Sequence, residues 1–200
     1  MKALLAIPGV DILSKDKNGR TPFSYAASSS DYLWRNDAGM IKILSGVIKL
    51  FLSSANVNAD SKDSHGRTPL SYAAEHGCTQ TVKCLIARSD VDVHSIDKDG
   101  RNPLSYAAGV DICAERMWFD PRSESVRCSG VIVGSLLSIP GIEIDTRDKR
   151  GRSPLSYALE RGNSHSVPLL LARTPQYEPS VMSHIHLPQG RRVCHLPPAI

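Results

Sequence analysis

The chain has 200 residues, 41% hydrophobic but only 6% aromatic, with a net charge of +4. That composition can bury a continuous core packed by Ala, Leu and Ile rather than by rings. The charge is of mixed sign with no basic run beyond Arg191-Arg192, which excludes a nucleic-acid-binding reading. The five cysteines are odd in number and irregularly spaced, so they form no disulfide framework and suit a reducing compartment, the cytoplasm or the nucleus.

Taken in chain order, Met1–Ile12 aligns with Val133–Ile144 around a shared Leu-Leu-x-Ile-Pro-Gly. The chain therefore reads as beginning inside the second helix of a repeat whose first half is absent. Such an end implies a fragment of a longer protein, or a surface covered by a partner or by self-association. The apolar run Ala3–Ile7 is too short for a signal peptide, and its twin is internal.

Next comes Asp16-Lys-Asn-Gly-Arg-Thr-Pro-Phe-Ser-Tyr-Ala-Ala27, the first of four copies. The others are Asp63-Ser-His-Gly-Arg-Thr-Pro-Leu-Ser-Tyr-Ala-Ala74, Asp97-Lys-Asp-Gly-Arg-Asn-Pro-Leu-Ser-Tyr-Ala-Ala108 and Asp148-Lys-Arg-Gly-Arg-Ser-Pro-Leu-Ser-Tyr-Ala-Leu159. In each copy the glycine (Gly19, Gly66, Gly100, Gly151) suits a tight turn, and Thr21, Thr68, Asn102 or Ser153 is an N-cap. The following proline fits the first turn of a helix, where a missing N–H costs nothing. The small Ala-Ala pairs let helices approach closely. A second helix then supplies an apolar stripe such as Leu85-Ile86 or Leu136-Leu137. The run Met40–Leu52, interrupted by Lys42 and Lys49, is too short to cross a bilayer.

The turn glycines are spaced 47, 34 and 51 residues apart. The stretch from the second helix to the next glycine is constant in length, so repeats one and three carry insertions of 13 and 17 residues after their Ala-Ala pairs. Long surface insertions cost little, and these hold both tryptophans, Trp34 and Trp118. An aromatic on a loop is a binding anchor or folds back as cover. After Arg173 the pattern stops. Residues 174–200 hold five prolines and read as a disordered tail or loose cap.

The pattern Asp-x-x-Gly-x-Thr-Pro-Leu-x-x-Ala-Ala resembles the ankyrin repeat. The resemblance spans residues 1–173: a partial repeat at 1–15 and repeats at 16–62, 63–96, 97–147 and 148–173. It implies an all-α repeat solenoid of stacked β-hairpin and helix–turn–helix units, because one repeat cannot bury its apolar face alone. Two departures recur: Ser24, Ser71, Ser105 and Ser156 replace the family's usual His, and Tyr25, Tyr72, Tyr106 and Tyr157 replace its commoner Leu. The Pro-Leu-Ser-Tyr-Ala-Ala spelling resembles fungal ankyrin arrays.

The resemblance implies a non-catalytic scaffold that binds a protein partner through hairpin tips and the inner-helix face. The tip positions are Lys17 and Asn18, Ser64 and His65, Lys98 and Asp99, and Lys149 and Arg150. Glu75, His76 and Glu160 follow the inner helices, while at Ser28 and Gly109 the insertions leave from the same place. Trp34 and Trp118 join this set through their own chemistry. The partner's identity is not written in the sequence.

Other readings compete. Arg20, Arg67, Arg101 and Arg152 follow the turn glycines and would form a guanidinium ladder. It could grip an acidic partner, or Asp16, Asp63, Asp97 and Asp148 could neutralise it locally. His184, His186, Cys194 and His195 match no zinc spacing. No phosphate loop or nucleophile elbow occurs, so no metal or cofactor is expected. An enzyme with a site in the 109–130 insertion, carried by Asp111, Glu115 or Asp120, is one alternative. A sensor or autoinhibitory piece of a larger signalling protein is the other.

Overall fold

The computed structural model describes residues 11–29, 38–54, 57–110 and 124–174. They form eight helices: α1 Pro22–Ala27, α2 Ala38–Ser53, α3 Pro69–Glu75, α4 Thr79–Ile86, α5 Pro103–Ala108, α6 Glu124–Leu137, α7 Pro154–Glu160 and α8 Ser166–Leu171. Odd-numbered helices pack against one another in sequence order, as do even-numbered ones, and each odd helix packs on the even helix that follows it. The result is two parallel helical layers, one rung per repeat.

The local chemistry repeats as the spelling demands. Every inner helix opens with proline, and its cap side chain accepts the N–H of the residue three further on: Thr21 from Ser24, Thr68 from Ser71, Asn102 from Ser105 and Ser153 from Ser156. The serine hydroxyl then returns to the same cap oxygen, at 2.9 Å from Ser105 Oγ to Asn102 Oδ1. The Ser that replaces the family's His thus seals the helix start.

Inner helices of six or seven residues are too short to persist alone. Their stability comes from stacking. Ala73, Ala74, Ala107 and Ala108 are fully buried and allow close approach, while Leu70, Leu85, Leu104, Ile132 and Leu136 fill the space between layers. Burial of each such aliphatic side chain contributes about 1.5–3 kcal/mol. At the first rung Phe23 meets Phe51, with ring centroids 5.6 Å apart.

Between rungs three and four the joint is polar. Buried Asn163 donates from Nδ2 to Ala108 C=O at 3.2 Å and to Ser129 Oγ at 2.6 Å, while Ser129 Oγ donates to Ala107 C=O at 2.9 Å. The network satisfies carbonyls that would otherwise be buried without partners.

Two expectations change in form. The inserted residues are not all loop, because α2 and α6 run 16 and 14 residues against 8 in α4. Part of each insertion extends the second helix. Repeats two and four instead turn at Gly77 and Gly162, with φ of 69° and 65°. Repeats one and three have Ser30 and Asp111 at that register. The unit link also carries no β-strand among the described residues; it is a hairpin-shaped turn.

Trp34, Trp118, the segment 1–10 and the tail 175–200 lie outside the described residues, as do Asp111, Glu115 and Asp120. Among the described residues no helix is long and apolar enough to cross a membrane, and no three His, Cys, Asp or Glu side chains gather as a metal site.

Candidate protein-interaction surface

The tips are built by one aspartate each. Asp63 Oδ1 accepts the N–H groups of His65 and Arg67, both at 2.8 Å, and Asp63 N–H donates back to Arg67 C=O at 3.0 Å. Asp16, Asp97 and Asp148 do the same in their own repeats. The turn closes through glycine at positive φ, 78° at Gly66, a region that L side chains rarely adopt.

Neighbouring tips are bonded in register. Ser64 N–H donates to Asn18 C=O, Lys98 N–H to His65 C=O and Lys149 N–H to Asp99 C=O, each at 2.8 Å. The approach is close: a Cβ at Gly19 would stand 2.8 Å from Ser64 N. The predicted tip side chains Lys17, Asn18, Ser64, His65, Lys98, Asp99, Lys149 and Arg150 are all exposed and form one continuous edge.

The same aspartates hold the tyrosines. Tyr25 Oη donates to Asp16 Oδ2 at 2.7 Å, and Tyr72, Tyr106 and Tyr157 donate to Asp63, Asp97 and Asp148 at 2.6 Å. Each pair ties a tip to the inner helix behind it. Burial, then the bond to Asp63, pushes the Tyr72 phenol up to about 12. Burial of Asp97 favours its protonated form, but the Tyr106 hydroxyl, the turn amides and Arg101 outweigh it and hold the carboxyl below its ordinary value.

Arginines fill the gaps between rings. The Arg20 guanidinium lies 3.9 Å from the Tyr25 centroid and 4.1 Å from that of Tyr72. Arg67 lies 4.0 Å from Tyr72 and 4.4 Å from Tyr106. Arg101 bonds Asp97 and Asp99 at 2.9 Å, and Arg152 bonds Asp148 at 2.9 Å. Arg67 also pairs with Glu75, and Arg152 with Glu160 at 3.5 Å. Arg101 and Arg152 are thus neutralised by their own aspartates and Arg67 by Glu75, whereas Arg20 is held by two rings and by Ser28 Oγ at 3.3 Å.

Glu75, His76 and Glu160 stand at the inner-helix ends, half-buried or exposed, and are set in place by these bonds and by His76 Nδ1 lying 2.9 Å from Tyr72 C=O. Between the third and fourth tips a polar groove is lined by Asp99, Arg101, Asp148, Lys149, Arg150 and Arg152. Within it Asp99, Asp148, Arg101 and Arg152 are committed to ion pairs, while Lys149 and Arg150 point no salt bridge at any described residue.

The part that the tyrosines play in this ladder escaped the sequence reading, which paired the arginines with the aspartates alone. Its signal was present: Asp, Arg and Tyr recur at fixed offsets of 0, 4 and 9 in all four copies.

A family model for ankyrin repeats, in three copies, matches residues 39–115. The described helices have the ankyrin-repeat fold. Among solved structures, the crystal structure of an ankyrin repeat domain from Acinetobacter baumannii is similar at 27% identity, with a TM-score of 0.59 over 86% of this chain and 72% of that one. No curated protein matches. Ankyrin repeats are generally protein–protein interaction modules and generally not catalytic.

Proposed function

We propose that the chain is a non-catalytic scaffold that holds a protein partner along its tip edge and inner-helix ends. The observation that carries this reading is the tip row itself: eight exposed side chains on turns locked to one another and to the helices behind them. A surface so preorganised loses little freedom on binding. Lys17, Lys98, Lys149 and Arg150 outnumber Asp99 along the row, which favours an acidic segment as the occupant. The cysteine usage suits a cytoplasmic setting.

Charge reversal tests this. Partners captured from cells by the native chain are compared with those of a Lys98→Glu, Lys149→Glu, Arg150→Glu variant and of a Lys83→Glu control on exposed α4. A protein lost only with the tip variant supports the reading. Equal loss in both variants, or none in either, refutes it.

A further inference from the structure

The tip edge has a fixed period. Within a tip the aspartate N–H donates to the arginine C=O across the turn, as Asp63 does to Arg67 at 3.0 Å. Between tips a second backbone bond follows, such as Ser64 N–H to Asn18 C=O or Lys98 N–H to His65 C=O at 2.8 Å. One repeat is therefore two hydrogen-bonded backbone separations wide. Each separation is about 4.7–4.9 Å, so equivalent residues recur about every 9.4–9.8 Å along the edge.

Register along the edge is fixed too. All four turns share the same carboxylate bonds and a glycine φ between 75° and 85°, so side chains at one position point alike. The residue after the turn aspartate is exposed in every copy: Lys17, Ser64, Lys98 and Lys149. Three of the four are lysines, and none of the three pairs with a carboxylate among the described residues. The nearby Asp99 is bonded to Arg101 at 2.9 Å, and Arg150 adds an exposed cation beside Lys149. The row is a comb of positive charge with one neutral tooth, Ser64.

Few chain conformations match this period. A β-strand returns to one face every two residues, about 6.6–6.8 Å. An α-helix returns every about 5.4 Å, and two turns overrun each tip by about 1 Å. A polyproline II helix has three residues per turn and returns every about 9.3 Å, within about half an ångström of the tip spacing.

We propose that the partner segment on the tip edge is a polyproline II helix with an acidic side chain at every third residue. Adjacent acids face Lys98 and Lys149, and a third, six residues away from the one on Lys98, faces Lys17. This rests on the tip-edge reading and adds the partner's conformation and spacing to it. Such a segment is extended before it binds and keeps its backbone in water, so docking orders little.

Fluorescence anisotropy of the full chain with two labelled peptides tests this. One peptide is four Glu-Pro-Pro units. The other has the same four glutamates and eight prolines, with the glutamates at alternate positions. Charge and backbone preference are shared, and only spacing differs. The first should bind about tenfold more tightly, as three exposed ion pairs together would give. Ser64→Lys fills the neutral tooth and should tighten the first peptide about threefold further while leaving the second unchanged. That gain cannot come from lost folding. Lys98→Gln with Lys149→Gln should reduce the first peptide to the level of the second, with helical circular dichroism unchanged. Equal binding of the two peptides, weakened by the glutamine variant, overturns the spacing and leaves the tip edge as an acidic-segment site. Binding that the glutamine variant does not weaken overturns both readings. Binding of neither peptide overturns the polyproline II proposal, and the tip edge is then judged by the charge-reversal capture.

Discussion

Tyr106 Oη lies 2.6 Å from Asp97 Oδ2, and the Asp97 side chain is only 1% exposed. The same carboxylate organises the turn through Oδ1, so a single residue joins tip and inner helix. This explains why Tyr stands where related repeats usually carry Leu: a leucine would fill the space but leave a buried carboxylate oxygen short of a donor.

Tyr106→Phe should therefore destabilise the array by about 1.5–3 kcal/mol, the range for hydrogen bonds to charged groups. Tyr25→Phe should cost less, because Tyr25 is 47% exposed and water can replace its hydroxyl. Urea denaturation of the two variants measures the difference. Equal losses would show that burial does not set the strength of these bonds.

Adjacent tips can be probed by two alanines. Gly19 and Gly151 share nearly the same φ, 75° and 76°, so Ala strains both backbones alike. Only at Gly19 would the new Cβ meet a neighbouring tip, at 2.8 Å from Ser64 N. Gly151→Ala should cost about 1–3 kcal/mol from strain, and Gly19→Ala distinctly more. Melting temperatures that fall equally would argue against locked tips.

The ladder also fixes a pH window. Asp16, Asp97 and Asp148 are held below their ordinary value of 3.8, so their contribution is full above it and fades as pH falls through the lower folded values. Tyr72 and Tyr157 are raised from 10.0 to about 12, so their contribution is full below pH 10.0 and is lost as pH rises toward 12. Stability measured by denaturant should form a plateau that drops at both edges. In Tyr72→Phe the alkaline drop should shrink, with tyrosinate absorbance rising in step in the native chain.

Much of the fold was legible because it is written four times. The caps Thr21, Thr68, Asn102 and Ser153, the prolines and the turn glycines act locally, so sequence neighbours suffice to read them. Legibility failed where partners come from different rungs. The sandwich of Arg20 between Tyr25 and Tyr72 joins residues 52 positions apart along the chain, and no local rule announces it. Insertion length was readable, but the extension of α2 and α6 was not, since an apolar stretch fits a longer helix as well as a packed loop. The tip residues lie exposed along one edge, while Glu75 and Glu160 are paired with Arg67 and Arg152.

The most direct measurement is site-specific photo-crosslinking in cells, with the reactive side chain placed singly at His65, Asp99 and Arg150 on the tips and at Gln80 and Lys83 on α4. A partner bound along the tip edge should crosslink from all three tip positions as the same protein and from neither α4 position. A partner trapped only from α4, or different proteins at each tip, would contradict a single partner-binding edge.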